Sequence, residues 1–294
     1  MKQVLGDKRA ILTLVGPALI VYTVVMLVPV MWSLGYTFFD GNAITGFRFT
    51  GLDNFTRLWE DTKVLDAFVF TLKYAAVVTV GQVLIGYGLA LLYVFVLRRY
   101  SATVRTLLFF PIVLPTVAVG LLFQQLFSIA PQTGPVNSFL NVLGFASIDW
   151  FGDGGSAFVV IAVMDIWRSM GFYGVLLYAG LVDIPEDVLE AARTDGAGPL
   201  RLVRHVVLPL SWPVLVSAVI FSINGTLKVF DSIMALTDGG PGTSTSPLTL
   251  YMFQTSFTYG DYGYGSSVAL LLTLLCLVVT VFIFRASRRD LTKG

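Results

Sequence analysis

The sequence is poor in the residues that do chemistry: one cysteine and one histidine stand among 294 residues. Cys276 lies inside an apolar run, so it has no internal disulfide partner and no company for metal or redox chemistry. His205 lies in a polar segment and reads as a surface residue. Charged residues make up only 13% of the chain, against about 25% in an ordinary soluble domain. The net charge is +1, so no basic face of useful size exists for nucleic acid. No G-x-x-x-x-G-K-[ST] occurs, and the glycine-rich stretch Gly152–Gly155 lacks the lysine that would hold phosphates. What the chain does have is apolar residues, 56% of the total.

A membrane span needs about 20 apolar residues to cross about 30 Å of hydrocarbon. Six stretches qualify: about 11–31, 68–97, 104–127, 157–181, 208–230 and 266–285. The third is interrupted by Pro111 and Pro115, and the fifth carries Pro209 and Pro213 at its start. Such breakers are tolerated where neighbouring helices or a cavity re-satisfy the backbone, so these two helices are expected to line the interior. The short basic N-terminus shows no small-residue cleavage site and reads as the lead into an uncleaved first span. The whole of 1–294 reads as a single all-α membrane domain, without strand alternation or repeats.

Basic residues set the orientation. Lys2, Lys8 and Arg9 precede the first span; Arg98, Arg99 and Arg105 follow the second. Arg193, Arg201 and Arg204 follow the fourth, and Arg285, Arg288, Arg289 and Lys293 follow the sixth. The opposite loops hold only Arg48, Arg57 and Lys63, all in the first. Both termini are expected in the cytoplasm, which requires an even number of spans. Of the outer loops, 40–66 holds a turn-like Asp40-Gly41-Asn42, Gly134–Phe145 suits a short amphipathic helix, and Leu236–Pro247 is a turn cluster.

The inner loop 183–208 differs from the rest. Pro185, Glu186 and Asp187 suit a first helical turn. Val188–Arg193 has good helix propensity, and Gly196 and Gly198-Pro199 break the path, with Gly196 suited to a positive φ. A second short helix is expected from about Leu200 to Val207, before Leu208-Pro209 opens the next span. The residues alone leave two readings: a loop held on anionic headgroups by its arginines, or a surface that docks another protein.

Glu190-Ala191-Ala192, three residues, Gly196, nine residues, then Val206-Val207-Leu208-Pro209 resembles the "EAA" loop of bacterial ABC importer permeases; Val206 departs from the usual isoleucine. Asp195-Gly196-Ala197 is similar to the sugar-importing branch. VPVMWSL from Val28, GLDNF from Gly51, RTLLFFPIVLP from Arg105 and FDSIMALTDGGP from Phe230 extend the resemblance over most of the chain. They resemble the maltose and glycerol-3-phosphate type, in particular the first-inserted member of the permease pair.

The resemblance implies a type I ABC importer permease fold in the bacterial plasma membrane. It implies four kinds of company: a second permease subunit forming a heterodimer, two ATPase subunits that bind the ATP and magnesium, an extracytoplasmic solute-binding protein, and a sugar. No cofactor is expected in this chain, and no enzymatic activity. Glu190, Ala191, Ala192, Asp195, Gly196, Ala197 and Arg201 would couple to the ATPase. A glycerol-3-phosphate-type or other sugar-phosphate or polyol cargo is the alternative.

Ionisable and polar residues inside spans mark a substrate path. Three clusters stand out: Asp165 with Trp167, Arg168, Ser169 and Phe172 in the fourth span, Ser222, Asn224, Thr226 and Lys228 in the fifth, and Gln124-Gln125 in the third. The family's W-x-G-x-x-Y segment reads Trp167-Arg168-Ser169-Met170-Gly171-Phe172, with Ser169 and Phe172 departing; a third polar position falls on Val229. Against this stand structural roles: Trp167 as an interface anchor, Asp165 and Arg168 as an i,i+3 ion pair, and Gln124 and Gln125 as helix-to-helix hydrogen bonds. A stand-alone secondary carrier would want several membrane acids on paired repeats, and only Asp165 lies well inside a span.

Overall fold

The computed structural model describes residues 8–42 and 44–291. Lys2 and Lys293 lie outside the described residues, as do the side chains of Lys8, Arg9, Arg288 and Arg289. The chain is helical almost throughout. It opens with α1 (Lys8–Tyr22), a π-helical turn at Thr23–Leu27 and α2 (Val28–Tyr36). Then come β1 (Phe39–Asn42), β2 (Gly46–Phe49), α3 (Asp53–Glu60) and α4 (Thr62–Leu91), which runs on through a π turn to Val96. α5 (Ser101–Val113), α6 (Thr116–Leu126), α7 (Pro135–Val142), α8 (Gly154–Val182) and α9 (Glu186–Thr194) follow. α10 (Pro199–Leu202), a π turn at Val203–Val207 and α11 (Leu208–Thr226) form one run. α12 (Asp231–Leu236), α13 (Leu248–Phe253) and α14 (Tyr262–Leu291) complete the chain.

Five described helices are long and apolar enough to cross a membrane: Leu12–Tyr36, Thr62–Val96, Gly154–Val182, Pro199–Thr226 and Tyr262–Arg285. Counting the bent pair α5 and α6 as one span makes six. The two prolines expected to interrupt the third span behave differently. Pro111 sits inside α5, whereas the helix ends at Leu114-Pro115 and the chain turns by 94° into α6. A proline disfavours helical geometry at the residue before it, and Leu114 is extended, with ψ 141.

Two expectations are corrected. A two-stranded antiparallel hairpin occurs where no strand was expected, with Phe39 opposite Phe49 and Asn42 opposite Gly46. Four-residue strands are too short for alternation to declare itself, and Asp40-Gly41-Asn42 belongs to β1 rather than to a turn. The helix that carries the fifth span, in turn, does not begin at Leu208-Pro209. It is unbroken from Pro199 to Thr226. The π turn at Val203–Val207 precedes Pro209, and its wider i→i+5 bonding relieves the clash and the missing donor that a proline brings to an α-helix.

Contacts divide the chain into two compact units, one of residues up to Val64 with Tyr251–Thr273, the other of Leu65–Leu250 with the chain from Leu274. In the first, Asp61 accepts hydrogen bonds from the Tyr251 and Tyr264 hydroxyls, each at 2.6 Å. Arg57 pairs with Asp261 at 2.6 Å and lies 3.8 Å over the Tyr264 ring. In the second, one apolar cluster centres on Ile161, Met164 and Ile233, another on Leu177, Val207 and Ala218. α8 starts where the Asp153 carboxylate accepts from the N–H groups of Gly155 and Ser156, a side-chain N-cap. Gly171 lets α8 lie against α5 backbone to backbone: a Cβ there would stand 1.8 Å from the Leu108 carbonyl oxygen.

Candidate functional site

In the second unit, α4, α8 and α11 carry polar side chains into an otherwise apolar core. A cavity of about 420 Å³ opens among them. The residues come from facing helical stripes: Tyr74, Val78 and Gln82 on α4, Asp165, Ser169 and Phe172 on α8, and Ser222 and Thr226 on α11. Each set steps by three or four residues, the spacing that keeps side chains on one helix face. Of the residues expected on a substrate path, Arg168, Ser169, Phe172, Ser222, Thr226 and Lys228 line this cavity, and so does Val229. Trp167 does not. It packs against the Phe123 ring at 5.7 Å, beside the apolar cluster. One residue along an α-helix is a turn of about 100°, so Trp167 and Arg168 serve different surfaces.

A hydrogen-bonded chain joins the three helices. Ser169 Oγ stands 2.5 Å from Gln82 Oε1, and Gln82 Nε2 donates to Ser222 Oγ. Ser222 donates to Thr79 Oγ1 at 3.0 Å, and the Thr79 and Thr226 hydroxyls lie 3.1 Å apart. Beside this, the Tyr74 hydroxyl donates to Asp165. Arg168 Nε stands 3.7 Å from Asp165 Oδ1, an i,i+3 pair. Tyr74, Thr79 and Gln82 were missed from the sequence, although Thr71, Tyr74, Thr79 and Gln82 form a polar stripe at helical spacing in an apolar run. Gln124 makes the helix-to-helix contact, its amide donating to the Leu236 carbonyl at 2.8 Å.

The 183–208 segment folds as a helix, a glycine turn and a second helix. α9 has Glu186 and Asp187 in its first turn and Arg193 in its last, each sign at the end of the helix dipole that favours it. At its C-terminus Ala197 N–H reaches the Ala192 carbonyl and Gly196 N–H the Arg193 carbonyl, both at 3.0 Å. This pair of bonds needs a left-handed residue at Gly196, whose φ is +83°. Leu189 and, in part, Ala192 pack onto the cluster beneath. Glu190, Ala191, Asp195, Gly196 and Arg201 are exposed, Ala197 is half-buried, and Leu200 is 82% exposed. The segment therefore presents acid, small and apolar groups on a shape anchored from below. Its second helix continues into α11, where Ser222 and Thr226 line the cavity.

The description "Binding-protein-dependent transport system inner membrane component" matches residues 82–293. A sulfoquinovosyl glycerol transport system permease protein of Agrobacterium fabrum is 34% identical over 97% of this chain and 92% of its own length. A trehalose/maltose transport system permease protein of Thermococcus litoralis is 31% identical, covering 92% of this chain and 91% of its own. In fold, the chain resembles the crystal structure of a bacterial ABC transporter involved in the import of the acidic polysaccharide alginate, with a TM-score of 0.82 over 93% of both chains at 21% identity. That likeness gives the fold of an ABC importer permease to a chain whose sequence had implied it. The chain belongs to the family of inner membrane components of binding-protein-dependent transport systems.

Proposed function

We propose that this chain forms one half of the membrane pathway of an ATP-driven importer for a sugar or oligosaccharide. A second permease subunit supplies the other half, and an extracytoplasmic solute-binding protein delivers the cargo. Two separate ATPase subunits hydrolyse ATP and dock on α9, with Glu190, Ala191, Ala192, Asp195, Gly196, Ala197 and Arg201 at the contact. The observation that carries this reading is mechanical. An exposed helix with an anchored underside is joined, through the unbroken helix Pro199–Thr226, to the wall of a polar cavity. ATP closes the ATPase dimer, α9 moves with it, and the cavity changes the side it faces, a population shift driven by the conformer that binds ATP better.

The sugar assignment draws on the trehalose/maltose and sulfoquinovosyl glycerol relatives and on the cavity's hydroxyl, amide and aromatic groups. The excess of arginine in the loops after the second and fourth spans supports a cytoplasmic α9 and cytoplasmic termini, with α5 and α6 counted as one of six spans. The test is a pair of variants, Glu190→Arg and Gly196→Asp. Both sites are exposed; a Cβ at Gly196 meets nothing within 4 Å, but the φ of +83° strains any side chain there, so Gly196→Asp also disturbs the turn itself. Each variant is expected to insert in the membrane at the wild-type level but to lose co-purification with the ATPase and ATP-dependent uptake. Normal assembly with normal uptake in both would refute the docking assignment.

A further inference from the structure

The cavity between α4, α8 and α11 is charged as well as polar. Arg168 lines it with 25% of its side chain exposed, in the middle of a helix apolar enough to span a membrane. Its Nε is buried and has no hydrogen-bond partner among the described residues; Asp165 Oδ1, at 3.7 Å, is beyond hydrogen-bond reach. A guanidinium stays charged at any accessible pH, and an unmet charged donor at membrane depth is costly. Asp165 Oδ1 offsets part of the Arg168 charge as an i,i+3 ion pair, while its other oxygen takes the Tyr74 hydroxyl. Lys228 lines the same cavity, is exposed, and makes no ion pair among the described residues. The remaining acid in the lining is Asp231, exposed in the first turn of α12.

We infer that the cargo is a saccharide bearing an anionic oxyacid group, a carboxylate, phosphate or sulfonate. Arg168 takes two oxygens of that group through its planar fork, and Lys228 adds a point charge. Asp231 accepts hydrogen bonds from the sugar hydroxyls, and the Phe172 and Phe221 rings, 5.6 Å apart in the lining, offer the ring an apolar face. A neutral sugar of the same shape would leave Lys228 without a partner and Arg168 with Asp165 alone, so the cavity discriminates by withholding partners rather than by size. This inference rests on the importer reading and narrows its cargo.

The experiment compares cells carrying the native transporter with cells lacking this chain. Both are given a mixture of ¹³C-labelled mono- and disaccharides in neutral, uronate, 6-phosphate and 6-sulfonate forms, and uptake is read by mass spectrometry. Acidic members are expected to depend on the chain. Neutral members depending on it equally or more would overturn the inference while leaving the importer intact. If no member depends on it, the importer reading itself falls, and this inference with it. Arg168→Gln and Lys228→Gln are then expected to lower uptake of the acidic cargo by at least about tenfold, chiefly through a raised KM, the loss of one charge-assisted contact. Co-purification with the ATPase should persist in both, and Arg168→Lys should restore part of the uptake. Wild-type uptake of the acidic cargo by both glutamine variants would contradict the assignment.

Discussion

Asp61 shows how much one side chain holds in the first unit. Burial pushes its pKa up, but the Tyr251 and Tyr264 hydroxyls and the N–H groups of Lys63 and Val64 outweigh burial and hold it below the usual carboxylate range. A carboxyl depressed in the folded state contributes stability that is present above its unfolded value, about 4, and is lost as pH falls through the folded value. Asp61 is only half-buried, so the contribution is no more than about 1 kcal/mol after solvent screening. Thermal unfolding in detergent is expected to weaken below about pH 4 in the wild type and to lose that component in Asp61→Asn. Parallel pH profiles for the two proteins would refute the role. At this scale the sequence was legible where chemistry stands out from an apolar background: Arg168, Ser169, Ser222, Thr226 and Lys228 all line the cavity. Trp167 lies outside the cavity lining because a motif names a segment, whereas a helix divides its residues among faces. Tyr74, Thr79 and Gln82 escaped because their run is apolar and the stripe holds no charge to set it apart.

At the scale of elements, the long apolar helices were legible as elements, but their starts were not: the second begins six residues and the fifth nine residues before the apolar stretch that announces it. Whether Pro209 ends one helix or sits inside another depends on a π turn that no residue pattern announces, whereas the break at Pro115 was legible from the proline and only its 94° angle was not. The consequence is specific. With 1.5 Å of rise per residue, the unbroken run Pro199–Thr226 is a rod about 40 Å long, stiff enough to carry displacement from α9 to Ser222 and Thr226. Arg204→Pro places a second proline five residues before Pro209, in the π turn, and is expected to cost about 3 kcal/mol or more of helix continuity. The expected result is a complex that still co-purifies with its ATPase but imports at a tenth of the wild-type rate or less, about 1.4 kcal/mol in the coupled step. Wild-type import would show that α9 communicates with the cavity by another route.

At the scale of the whole molecule, the chain joins a polar cavity to an exposed helix through one unbroken helix, in a sequence of the inner membrane component family. Family membership was legible from a twenty-residue loop because its residue pattern is specific to the family, whereas an apolar span serves many membrane proteins alike. Cargo was less legible, since any set of hydroxyls and amides serves many sugars. The most direct test is uptake into proteoliposomes loaded with ATP, comparing this chain alone with this chain plus its partner permease, ATPase and binding protein. The account predicts labelled sugar inside only with the full set, and only with hydrolysable ATP. Uptake by the chain alone, indifferent to ATP, would contradict it.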